Sequence, residues 1–149
     1  MKIRLAVEDF RCAEIVRKSV ITQFKTDKTE LRLVHALEPF PVGLVEEMGG
    51  GDFPDFVAAR ERRRERLQKA FSEASDAFRS AGFPVTSVVR EGDARDVILD
   101  CAKEWRADLI VVCSDSQKGL TRFLLGSVAE AAARHAHCSV EIIRIPSGQ

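Results

Sequence analysis

"VVREGDARDVILDCAKEWRADLIVV", residues 88–112, changes its periodicity twice, and those changes decide the fold. It opens as the end of an apolar strand, Val85–Arg90, and turns at Gly92. Asp93 then stands where a helix N-cap is wanted, because its short carboxylate can accept from the free N–H groups of a first turn. Val97, Ile98, Cys101, Ala102 and Trp105 follow at helical spacing. The period then collapses into an almost wholly apolar run, Asp108–Ser114, as expected of a strand buried on both faces. Strand, helix and buried strand in this order make a parallel crossover unit.

The same alternation extends in both directions. Upstream, Ile3–Val7 reads as a strand, and residues 11–24 as an amphipathic helix carrying Cys12, Ile15, Val16, Val20 and Phe24 on one stripe. Leu31–Leu37 is a second strand. "EPFPVGLVEEMGGGDFPD" (38–55) is rich in proline and glycine and forms a long loop, a length usually tied to function or disorder. A long helix runs from about Pro54 to Ala81, with Phe56, Leu67, Ala70, Phe71, Ala74 and Phe78 facing inward; Gly82 and Pro84 end it. Downstream, Val128–His135 is helical and Val140–Ile145 is the last strand. The chain is thus one α/β domain over residues 1–149: a doubly wound parallel five-stranded sheet in a three-layer α/β/α sandwich. No repeat or linker divides it.

Composition narrows the function classes. Hydrophobic residues are 45% and charged residues 31%, and 23 basic side chains balance 23 acidic ones. A neutral chain creates no global field for nucleic acid or an anionic membrane. No run is long enough for a membrane span, and Met1-Lys2-Ile3-Arg4 leads straight into a strand with no signal-peptide core. The four cysteines, Cys12, Cys101, Cys113 and Cys138, lack CxxC spacing and read as reduced thiols of a cytoplasmic protein.

A parallel sheet binds ligands beyond the carboxyl ends of its strands, where the strand order reverses. In the common order 3-2-1-4-5 that point lies between strands one and four, so Glu8-Asp9 faces Cys113-Ser114. Gly126-Ser127 opens the last helix, whose free N–H groups and dipole attract an anion.

"LRLVHALEP" (31–39), the 88–112 stretch and "GLTRFLLGSVAEAAARHAHCSVEIIR" (119–144) together resemble the universal stress protein family, over nearly the whole chain and in the right order. The resemblance implies an adenine-nucleotide alpha-hydrolase-like fold with strand order 3-2-1-4-5. It also implies a homodimer through the last strand and, in one branch, binding of ATP or another adenine nucleotide with Mg. That branch carries Gly-x2-Gly-x9-Gly-Ser/Thr, which falls here on Cys113, Ser116, Gly126 and Ser127. The family's nucleoside-facing acid falls on Glu8, with Asp9 as the neighbouring alternative, and the pocket position after the strand-two histidine on Ala36. Ala6, Val112 and Val128 are counted with these as nucleotide-binding positions.

Both front glycines of the motif are replaced. Holding two non-glycine residues in left-handed torsions costs about 2–4 kcal/mol, roughly 30- to 1000-fold in affinity. The expectation is a binding and signalling module with a weakened phosphate grip, in which occupancy orders the 39–53 loop and the 114–126 segment for an unidentified protein partner. Its alternatives are a ligand-free dimerisation scaffold with no cofactor and a slow ATP hydrolase. The hydrolase is disfavoured, because no base or arginine finger is legible.

Other features have plainer readings. Ser127 also suits a helix N-cap, and Asp9 a cap for the first helix. "HAHC" (135–138) puts possible metal ligands on different faces and reads as a helix end. "RERRRER" (60–66), five arginines and two glutamates, spreads around a helix as a solvated face whose glutamates pair a turn away. His35 is a hydrogen-bonded core histidine and Trp105 is core. Cys113 is a buried thiol, with a redox role as the rival reading. Glu141 interrupts the apolar edge strand and calls for water or a cation such as Arg144 across a dimer.

Overall fold

The computed structural model describes residues 1–8, 10–39, 53–115 and 125–146. Its strands are β1 (Lys2–Ala6), β2 (Glu30–Leu37), β3 (Val85–Glu91), β4 (Leu109–Asp115) and β5 (Ser139–Ile145). Its helices are α1 (Phe10–Gln23), α2 (Phe53–Ser80), α3 (Ala94–Trp105) and α4 (Ser127–His135), with a 3-10 turn at Thr26–Lys28. The sheet has five strands in the order β3-β2-β1-β4-β5, and each neighbouring pair is parallel. Fold class and strand order are as the sequence led one to expect. Asp9, Ser116 and the 40–52 loop lie outside the described residues.

The layers follow from alternation along the strands. Ile3 and Leu5 of β1 and Val7 just beyond its end, with Leu31 and Leu33 of β2, point to the face covered by α1 and α2. There they meet Val16 and Val20 of α1 and Phe71 and Phe78 of α2. Ala6, Val34, Ile110 and Val112 point to the other face, against Val97, Ile98, Cys101 and Trp105 of α3 and Val128, Ala129 and Ala132 of α4. The central strands are buried on both sides, hence their continuous apolar sequence.

Both ends of α3 are closed. Asp93 accepts from Arg95 N at 2.9 Å, and Glu38 Oε1 accepts from Ala94 N at 3.2 Å. At the other end Arg106 sits at φ 55°, ψ 51°, and Ala107 N donates to Ala102 O at 2.9 Å. That is a Schellman closure built on an arginine where glycine is usual.

Glu141 has hydrogen-bond partners in its own chain. Its Oε1 accepts from Gln23 Nε2 at 2.8 Å and Ser19 Oγ at 3.5 Å, both on α1. The helix that covers this face therefore supplies the carboxylate with hydrogen-bond donors from within the chain.

Candidate functional site

The crevice begins where β1 and β4 part company. Their pairing runs through Ile3↔Leu109, Arg4↔Ile110 and Leu5↔Val111. Beyond it, the chain leaving β1 stays with β2: Val7 N donates to Val34 O at 3.2 Å, and the His35 ring nitrogen Nδ1 lies 2.8 Å from Val7 O. A carbonyl can only accept, so Nδ1 carries the proton. β4 instead runs on beside β5 as far as Asp115↔Ile145. The sheet thus divides at its carboxyl edge between Glu8 and Ser114, at the topological switch point.

Helix α4 is fastened to one side of that division. The Ser114 hydroxyl, 2% exposed, accepts from Gly126 N at 3.1 Å. Gly126 is the N-cap, at φ −60° and ψ 156°, and offers no side-chain acceptor. Ser127 is the first helical residue rather than the cap, which corrects that reading. A Cβ on Gly126 would meet nothing closer than Ser114 Oγ at 4.0 Å. Neither torsion nor packing within the described residues therefore demands glycine there. What glycine provides is a helix start that no described side chain caps, which suits an anion.

The remaining predicted residues divide into two groups. Ala6, Val112 and Val128 are buried in the core on the α3/α4 side, so any contact from them must come from backbone. Glu8, Gly126 and Ser127 are exposed, while Ala36 and Cys113 are half-buried. Cys113 Sγ lies 3.8 Å from Cys12 O, and Cys12 Sγ 3.8 Å from Ala6 O, so both thiols sit beneath the crevice on the α1 side. Cys113 lies within β4. Among the described residues Arg106 is the only non-glycine with positive φ. The torsional strain expected at Cys113 does not arise. Cys138 in "HAHC" is pushed up by burial, which disfavours the thiolate a metal needs.

Sequence reasoning missed a second hollow on the same edge. A cavity of about 340 Å³ lies beyond β2 and β3, lined by Leu37, Glu38, Pro39, Phe56, Arg60, Arg63, Glu91 and Gly92. Arg60 and Arg64 pair with Glu91, and Arg63 Nη1 reaches Glu38 O at 3.5 Å. Part of the arginine run thus turns toward the sheet instead of only to water. Its signal in sequence was the run itself, seven residues long, opposite the turn at Gly92.

The sequence profile of the universal stress protein family matches residues 1–144. The chain belongs to the universal stress protein family. It is 34% identical over 83 residues to universal stress protein MJ0531 of Methanocaldococcus jannaschii, a match covering 56% of this chain and 49% of that protein. It is 30% identical over 119 residues to universal stress protein A homolog 2 of Coxiella burnetii, covering 78% and 75%. Among solved structures, the protein MJ0577 superposes with a TM-score of 0.79 at 20% identity over 99% of this chain and 97% of that one. A universal stress protein in complex with cAMP gives 0.69 at 18% identity, covering 98% of each chain. The Arabidopsis thaliana family protein with AMP bound gives 0.66 at 19% identity, covering 99% and 93%. At such identities these structures establish the fold.

Proposed function

We propose that this universal stress protein binds an adenine nucleotide in the crevice between β1 and β4 and acts as a binding and signalling module. The observation that carries the reading is the uncapped start of α4 at Gly126, tied by Ser114 to the tip of β4 at the division of the sheet. Phosphate oxygens accept from the open N–H groups of that first turn and gain from the helix dipole. Glu8, exposed on the opposite lip, is the acceptor for hydroxyl or amino groups of the nucleoside. The AMP and cAMP complexes of similar folds support the ligand class.

Among the described residues no three His, Cys, Asp or Glu side chains gather as a cation site. Magnesium therefore arrives on the phosphates, its ordinary mode of binding. Calorimetric titration of the full chain with ATP and magnesium tests the reading. Saturable heat in the micromolar range is expected; silence up to millimolar nucleotide rejects it.

A further inference from the structure

On the α3 side of the sheet, three cations crowd one indole. Arg32 Cζ lies 4.4 Å from the Trp105 ring centroid, Arg4 Cζ 5.1 Å and Lys2 Nζ 5.5 Å. Arg4 and Arg32 are also direct register partners across β1 and β2, an arrangement in which like charges repel. Arg4 is 2% exposed at the middle of a central strand. Its Nη2 donates to Cys101 O at 2.7 Å, but Nε and Nη1 are buried with no partner. Burial lowers its guanidinium to about 10.

Counter-charge is scarce. Glu104 is held by both Nη groups of Arg90, at 3.1 and 3.0 Å, and Arg32 spends Nε on Thr86 Oγ1 at 3.1 Å. Burial raises the Cys101 thiol, so it supplies no anion. Three guanidiniums thus face one carboxylate around a cavity of about 310 Å³, with Thr86 and Ser87 hydroxyls on its β3 wall. A buried, unpaired charge is strongly unfavourable, and an apolar side chain would serve a purely structural role better.

We propose that this cavity binds a phosphate group, either free phosphate or the head of a small phosphorylated metabolite, with Arg32 as direct donor and Arg4 as fixed charge behind it. It shares no lining residue with the crevice at Glu8, Gly126 and Ser127. A volume of this size admits such a ligand with Trp105 as an apolar wall.

Trp105 is the chain's one tryptophan and there is no tyrosine, so its emission reports on this cavity alone. Inorganic phosphate is titrated against the full chain at fixed ionic strength, with chloride and glycerol phosphate as parallel arms. A saturable change with phosphate assigns the free anion; saturation with glycerol phosphate alone assigns a phosphorylated metabolite. Arg32→Gln should weaken either by roughly tenfold or more. Ser127→Glu, at the crevice, should leave it unchanged. Arg4→Met should melt higher without phosphate and lose the phosphate-dependent rise in melting temperature. An equal response to chloride, no saturation, or unaltered affinity in Arg32→Gln overturns the proposal, whether or not Arg4→Met folds.

Discussion

Cys113 occupies the position where the nucleotide-binding branch of the family carries its first glycine, yet its backbone belongs to β4 and pairs with Ile143. An extended strand residue gains nothing from a glycine's access to positive φ, and a glycine there loses strand propensity and side-chain contact. Cys113→Gly is therefore expected to leave nucleotide affinity within about twofold of the parent while costing about 1 kcal/mol of stability. Calorimetry and thermal melting together check this. A tenfold gain in affinity would mean that the ligand needs the backbone closer than the thiol permits. The same residue shows where sequence reading stops. Its place in an apolar run was legible, but the torsion that decides the role of glycine depends on where β4 ends. Arg4 is the converse case: in "KIRLAV" it is one charge among apolar neighbours, and only the pairing with β2 reveals Arg32 beside it.

Helix ends were legible when their chemistry is local. Asp93 ahead of the 94–105 helix was readable because a cap acts within three residues. Arg106 was not, since its left-handed torsion is imposed by the closing bonds from Ala107 and by the start of β4. For α4, sequence gave the helix but placed the cap one residue late, and the difference matters. With Ser127 inside the first turn, a carboxylate there meets the positive end of the helix dipole. Ser127→Glu should raise stability by about 0.5 kcal/mol, or roughly 1–2 °C in melting temperature. The same charge repels a nucleotide's phosphates, so affinity for ATP should fall by about tenfold or more. Opposite signs in the two measurements are the signature sought. Unchanged affinity in a stabilised variant places the phosphates elsewhere.

For the molecule as a whole, the open question of assembly lies at β5. Among the described residues this strand pairs with β4 alone, and Val140, Ile142 and Ile143 are half-buried along it. Edge strands with free backbone groups and apolar side chains are templates for pairing. Glu141 was expected to oppose this, but Ser19 and Gln23 hold its carboxylate against α1. We propose that two chains associate through Val140–Ile145, burying these apolar side chains on both faces of the sheet across a two-fold axis. Sedimentation at micromolar concentration should then give a dimer. The paired substitution Val140→Lys and Ile142→Lys sets like charges against their symmetry mates and should yield a monomer with unchanged helix and strand content. These two side chains are only half-buried, so the lysine stems can reach water and the fold survives. A parent chain that sediments as a monomer at 100-fold higher concentration would remove the dimer, while leaving the crevice and the arginine cavity, both formed within one chain, intact.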